Sequence, residues 1–313
     1  MKKSIVRLLA FSVVPFLVIC YSVYLINQKT DDFYKRFTSP QQNSLILGSS
    51  RAASMNPQIL DSLVNKKFPK VKFYNYAFTW AHSPYGPKYL ESIKKKILND
   101  SKNGFFVVTV EPTALMVNSD TPDDPSFYIE NDKSVAQTSQ VSMNPNLEYL
   151  IENYNFSITN ELNNKILPEK NKIAEVNILE NGKIDIKMLK SIPVQQRVEE
   201  NKVKMKELQE RIKNLKISDK RLGYLSETIS FLQQHGKVIL VRMPVNKTPY
   251  EIEKKAYPDF DQRMKDLSAK QKIHYINYND FANDYECGDE VHLVPKSMDQ
   301  FSRVLGNDIL KKY

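Results

Sequence analysis

The feature that most narrows what this chain can fold into is a set of short runs rich in β-branched and aromatic residues. They lie at Ser44–Gly48, Val71–Ala77, Phe105–Val110, Lys237–Met243 and Ile273–Tyr278. In Phe105-Phe106-Val107-Val108 and Val238-Ile239-Leu240-Val241 every position is apolar, not every second one. A strand that is apolar on both faces needs cover on both, and a parallel sheet between helices supplies it. Helical patterns fall between the runs at Pro57–Lys66, Pro84–Leu98, Asp219–His235 and Asp261–Lys270, with a last one at Lys296–Lys312. The alternation predicts an α/β fold, a three-layer α/β/α sandwich around a five-stranded parallel sheet. In such sheets the site lies beyond the carboxyl ends of the strands, which is where Ser50 falls.

The third and fourth runs stand about 125 residues apart, far more than one crossover helix needs. A structureless loop of that length would contradict the assignment. We therefore expect residues 113–215 to fold as a cap-like insertion over the strand ends. Val176 to Ile186 reads as a hairpin around Asn181-Gly182, expected to matter more for substrate use than for folding of the sheet. A long amphipathic helix follows, with Val194, Val198, Met205, Leu208, Ile212 and Leu215 on one stripe expected to pack on the core.

The N-terminus carries Lys2, Lys3 and Arg7, and then no charge from Leu8 to Ile26. That span is close to bilayer thickness as a helix, and it lacks the small-residue cleavage site of a signal peptide. Leu17-Val18-Ile19 before Cys20 also lacks the small residue of a lipoprotein signal. Residues 1–30 therefore read as an uncleaved transmembrane anchor, with Pro15 tolerated inside it. Positive charge ahead of the span places the N-terminus inside and residues 31–313 outside the cytoplasmic membrane, in a bacterial periplasm or at the cell surface. Cys20 in the membrane and Cys287 outside would not pair with each other. The net charge of +9 includes three charges before the span, leaving +6 for the rest. Its lysines alternate with Glu on helices, as on a solvated face, and no motif points to nucleic acid. No His/Cys/Asp grouping has metal-ligand spacing and no glycine-rich phosphate loop occurs, so neither metal nor cofactor is expected.

Two motifs bracket the exported region. Leu45-Ile46-Leu47-Gly48-Ser49-Ser50-Arg51 closes the first run, and Asp289-Glu290-Val291-His292-Leu293 precedes the last helix. A serine at a strand tip, with Asp and His three residues apart, supplies nucleophile, orienting acid and base. Alone, Gly48-Ser49-Ser50 reads equally well as a capped strand-to-helix turn. Glu290 rivals Asp289, but a spacing of one turn lets Asp289 and His292 face the same cleft.

In this order of blocks, residues 40 to 313 resemble the SGNH (GDSL-like) hydrolase superfamily. More narrowly, they resemble its membrane-anchored, exported subset with Gly-Ser-Ser-Arg in the first block, to which the teichoic-acid D-alanyl transfer and alginate acetylation proteins are distantly similar. The resemblance implies a flavodoxin-like fold, with Ser50 as nucleophile, His292 as base and Asp289 as orienting acid. It also implies an oxyanion hole that includes the Ser50 N–H. The chain departs from the family pattern in three places. Ala77 stands for the second-block glycine. Val108-Thr109-Val110-Glu111-Pro112 holds no asparagine donor, and Val294 and Ser297 follow His292 where Asn and Gly are usual. Losing one oxyanion donor costs about 100- to 1000-fold in rate.

Further oxyanion or lining residues are expected at Ala77, Arg51, Glu111 and Arg242, the last at the cleft rim; Arg51 either holds an anion or caps the fold. Trp80 and His82 either line a sugar-binding cleft or, for Trp80, anchor the fold. The resemblance and the topology together imply a serine esterase or O-acyltransferase acting on ester groups of a cell-surface glycan through an acyl-enzyme. A membrane-bound O-acyltransferase partner would supply the acyl group. The alternative is a catalytically weak binding or assembly subunit of a glycan modification system.

Overall fold

The apolar runs come together as one sheet in a computed structural model that describes residues 2–28, 33–153 and 173–313. In chain order, α1 (Lys2–Gln28) is followed by α2 (Tyr34–Thr38), β1 (Ser44–Leu47), α3 (Pro57–Val64), β2 (Phe73–Asn75), α4 (Pro87–Lys96) and β3 (Gly104–Thr109). The insertion holds β4 (Met116–Asn118), α5 (Ser134–Gln137), α6 (Leu147–Asn153), β5 (Ala174–Ile178), β6 (Ile184–Met188), α7 (Val194–Lys213) and β7 (Leu215–Ile217). Then come α8 (Asp219–Gln233), β8 (Gly236–Arg242), α9 (Lys247–Ala256), α10 (Phe260–Gln271), β9 (His274–Asn277) and α11 (Pro295–Lys312).

The sheet runs β2-β1-β3-β8-β9, and every pairing in it is parallel. Side chains alternate between its faces, so each apolar run feeds two cores. Leu45, Leu47, Phe106, Val108, Val238 and Leu240 meet α4, α8 and α10 on one face. Ile46, Phe105, Val107, Ile239 and Val241 meet α3 and α11 on the other. All of these strand residues are buried, each worth about 1.5–3 kcal/mol of transfer free energy. Strand order reverses between β1 and β3, and at such a switch point a crevice opens beyond the strands.

Helix starts follow their caps. Asn56 Oδ1 accepts from the N–H groups of Gln58 and Ile59 before α3, and Ser218 Oγ accepts from Arg221 N–H before α8. The expected helices all form, within a few residues at their ends. In addition, α2, α5, α6 and α9 form where the sequence predicts no helix.

The insertion is folded where it is described; residues 154–172 of it lie outside the described residues. Its hairpin is not a two-residue turn. Gly182 N–H donates to Leu179 O, and Leu179 N–H to Lys183 O, so the loop has three residues, with Gly182 at φ +79°. The tip docks on the edge of the sheet. Asn75 N–H donates to Asn181 O at 2.9 Å, Ile184 N–H to Ala53 O at 2.8 Å, and the buried Arg36 to Gly182 O at 2.9 Å. The hairpin is thus hydrogen-bonded to the edge of the sheet and to the buried Arg36. The α7 stripe divides as well. Leu208 and Ile212 are buried, but Val194 and Val198 are 66% and 47% exposed.

Within α1, Lys3–Tyr21 forms a 19-residue window of mean hydropathy 2.1 with none of it buried, long and apolar enough to cross a membrane. Residues 1, 29 and 30 of the expected anchor lie outside the described residues.

Candidate active site

β1 gives way to Gly48, whose φ of +138° is costly for a residue with a side chain. A Cβ there would also sit 1.8 Å from Thr109 Oγ1 on β3. Glycine lets the chain turn tightly off the strand tip, and Ser49 and Ser50 follow at once. Ala53 N–H donates to Ser50 O at 3.2 Å, which fixes the turn. Among the described residues, the backbone N–H of Ser50 has no acceptor.

His292 reaches this point from the other end of the chain. Its Nε2 lies 2.9 Å from Ser50 Oγ, and its Nδ1 lies 2.9 Å from Asp289 Oδ2. Asp289 and His292 sit not on a helical turn but in a loop closed by a bridge between Cys287 and Leu293. Gly288 N–H donates to His292 O, and Val294 N–H to Glu286 O. Asp289 Oδ1 accepts His292 N–H at 3.0 Å, so one carboxylate fixes both ring and backbone. Burial alone would raise the Asp289 pKa. Hydrogen bonds and charge from His292, with Lys204 Nζ at 3.7 Å, outweigh it and hold the carboxyl well below the usual carboxylate range. The rival Glu290 is turned away. Its backbone is left-handed, at φ +74°, and its carboxylate accepts from Asn201 on α7 at 3.1 Å and from Asn246 at 2.9 Å.

A cleft of about 220 Å³ opens over Ser50 and His292. Arg51, Trp80 and Glu111 line it, along with Thr113. Arg51 is buried, paired with Glu253 on α9 and 3.8 Å from Glu111. Burial works against its charge, but Glu253 and Glu111 more than restore it and raise its pKa. Glu253 also binds Arg242 at 3.0 Å, and Arg242 binds Asp261 at 2.7 Å. A chain of charges therefore runs from the cleft through the buried Arg51, Glu253 and Arg242 to the partly exposed Asp261.

Three expected lining residues are placed elsewhere. Arg242 shares the parity of Leu240 along β8, so it points into the helix-covered face and not to the rim; it is 2% exposed. Ala77 is fully buried and its N–H is taken by Asn75 Oδ1 at 3.2 Å, which removes the proposed donor. His82 turns to Thr79 Oγ1 at 2.7 Å and packs on Phe33, lining a different hollow.

Sequence reasoning missed the opposite wall. Lys204, Met205, Glu207, Leu208 and Arg211 of α7 face the triad, and the Arg211 guanidinium lies 4.5 Å from the centre of the Trp80 ring. Their three- and four-residue spacing marks one helical face, but only the apolar members read as packing. Among the described residues, no group of three or more His, Cys, Asp and Glu is placed to hold a metal ion. No protein-family model matches the chain, and no curated protein matches it either.

Proposed function

We propose that this chain is a membrane-anchored serine esterase or O-acyltransferase of the SGNH type. The single observation that carries the reading is the hydrogen-bonded line Asp289–His292–Ser50, with 2.9 Å at each link, beyond the carboxyl ends of a parallel sheet. Ser50 Oγ attacks the ester carbonyl as His292 Nε2 takes its proton, and Asp289 holds the imidazole tautomer and stabilises the imidazolium. His292 returns the proton to the leaving alcohol. Water or a sugar hydroxyl then resolves the acyl-enzyme. The Ser50 N–H is the oxyanion donor that the local geometry leaves available. In this reading the insertion is a cap, with α7 as one wall of the cleft. The fold is the flavodoxin-like SGNH one, and the domain faces outward from a bacterial cytoplasmic membrane. The substrate is an ester of a cell-surface glycan, with a membrane-bound O-acyltransferase as acyl supplier; both follow from the resemblance.

A second reading, a catalytically weak binding or assembly subunit, draws support from one observation. The Ala77 N–H is already bonded, and no asparagine follows β3, so at most one familiar oxyanion donor remains. Fluorophosphonate labelling separates the two. An enzyme is labelled at Ser50, and His292→Ala abolishes labelling, because triad members act as a unit. An unlabelled Ser50, in a protein whose Ser50→Ala variant still supports glycan modification, leaves only the binding subunit.

A further inference from the structure

A second hollow of about 340 Å³ adjoins the triad cleft, and the two share Trp80, Thr113 and Arg211 as walls. The second hollow is the more apolar. Met116 and Val117 of β4, Leu215 of β7, and Phe127 and Ile129 line it. Its mouth leaves Phe127 and Ile129 54% and 47% exposed, a large apolar area for one surface site. Its base is rigid: Arg221 makes a two-pronged pair with Glu130 at 2.9 and 2.8 Å, both buried, and lies 3.8 Å from the centre of the Tyr128 ring. The β4–β7 pairing ties this wall together across the whole insertion.

We propose that this hollow is the acyl subsite, and that it takes an unbranched apolar acyl chain longer than acetyl. The inference rests on the serine-hydrolase reading of Ser50. Adjacency to the cleft carries it: the two hollows share Trp80, Thr113 and Arg211, so an acyl chain leaving Ser50 runs either to solvent or past the Trp80–Arg211 stack into this apolar space. In the reaction the Ser50 Oγ–acyl bond forms, the ester C–O bond breaks, and the departing alcohol takes the proton from His292. The alcohol side then occupies the more charged triad cleft between Glu207, Lys204 and Glu111.

The test uses alkyl fluorophosphonates from ethyl to octyl on the full chain in detergent. The Ser50–phosphorus bond forms, fluoride leaves, and His292 takes the serine proton. The labelling rate at Ser50 should rise with chain length, by up to about fourfold per buried methylene. Leu215→Trp should cut the octyl-to-ethyl rate ratio at least tenfold. Met116→Ala, which widens the same wall, should move the optimum to longer chains, and thermal melts report whether each variant folds. Labelling at Ser50 that is fastest for ethyl, or a ratio that neither variant changes, overturns the acyl subsite but leaves the hydrolase standing; the hollow would then hold a sugar ring of the acceptor. No labelling by any probe overturns both.

Discussion

Glu253 is the side chain whose loss should cost the most for its size. It is fully buried on α9 and bridges two buried guanidiniums, Arg51 beneath the cleft and Arg242 on β8. In Glu253→Ala, Arg51 keeps, among the described residues, Glu111 at 3.8 Å, beyond hydrogen-bond reach, while Arg242 keeps Asp261 at 2.7 Å. Removing one partner of a buried ion pair costs about 3–5 kcal/mol, because a desolvated charge is left behind. Against a total stability of about 5–15 kcal/mol, that is a large share. Glu253→Gln keeps the shape and one acceptor and should lose less, about 1.5–3 kcal/mol. Replacing Arg51, Arg242 and Glu253 together with Met, Met and Leu should recover most of the loss. Urea unfolding followed by tryptophan fluorescence measures all three, since Trp80 is the chain's single tryptophan and lines the cleft above Arg51. A Glu253→Ala cost under about 1 kcal/mol would refute the reasoning, by showing that the arginines find water or other acceptors at little expense.

Gly182→Val should destabilise the fold by about 3 kcal/mol or more, through positive φ and steric overlap. A Cβ at this position would meet Asn75 O at 2.2 Å and the Tyr74 ring at 2.8 Å, and the drop in the urea midpoint reads the loss. Asp61 is half-buried, and burial pushes its carboxyl up to about 6 despite the bond from Phe73 N–H and the charge of Lys72. A raised carboxyl favours the folded state below its unfolded pKa of about 3.9 and loses that advantage as pH rises through 6. Asp61→Asn should therefore add about 1 kcal/mol at pH 7.5, after allowance for its partial exposure, and nothing near pH 4; equal melting temperatures at pH 7.5 would count against it.

The sheet was legible because its strands are apolar at every position, and the triad because Ser50 and His292 fall where such a sheet puts its crevice. What escaped is what looks like surface. The α9 segment Tyr250-Glu251-Ile252-Glu253-Lys254-Lys255 has the composition of a solvated helix, and nothing local says that Glu253 faces two arginines. Arg242 reads as a rim residue by its place at the strand end; its parity with Val238 and Leu240 already pointed inward. Ala77 reads as a donor by its block position, but Asn75 two residues earlier claims its N–H. The α7 wall lies about 90 residues from the His292 loop, so its contact with the triad is purely tertiary.

The chain is buried again soon after α1. Tyr34, Arg36 and Phe37 are fixed in the core, and only residues 29–32 separate Phe33 from the end of α1. Five peptide steps stretch to no more than about 18 Å. On the proposed reading of α1 as a membrane anchor, the first buried residues of the domain stay within that distance of the helix end.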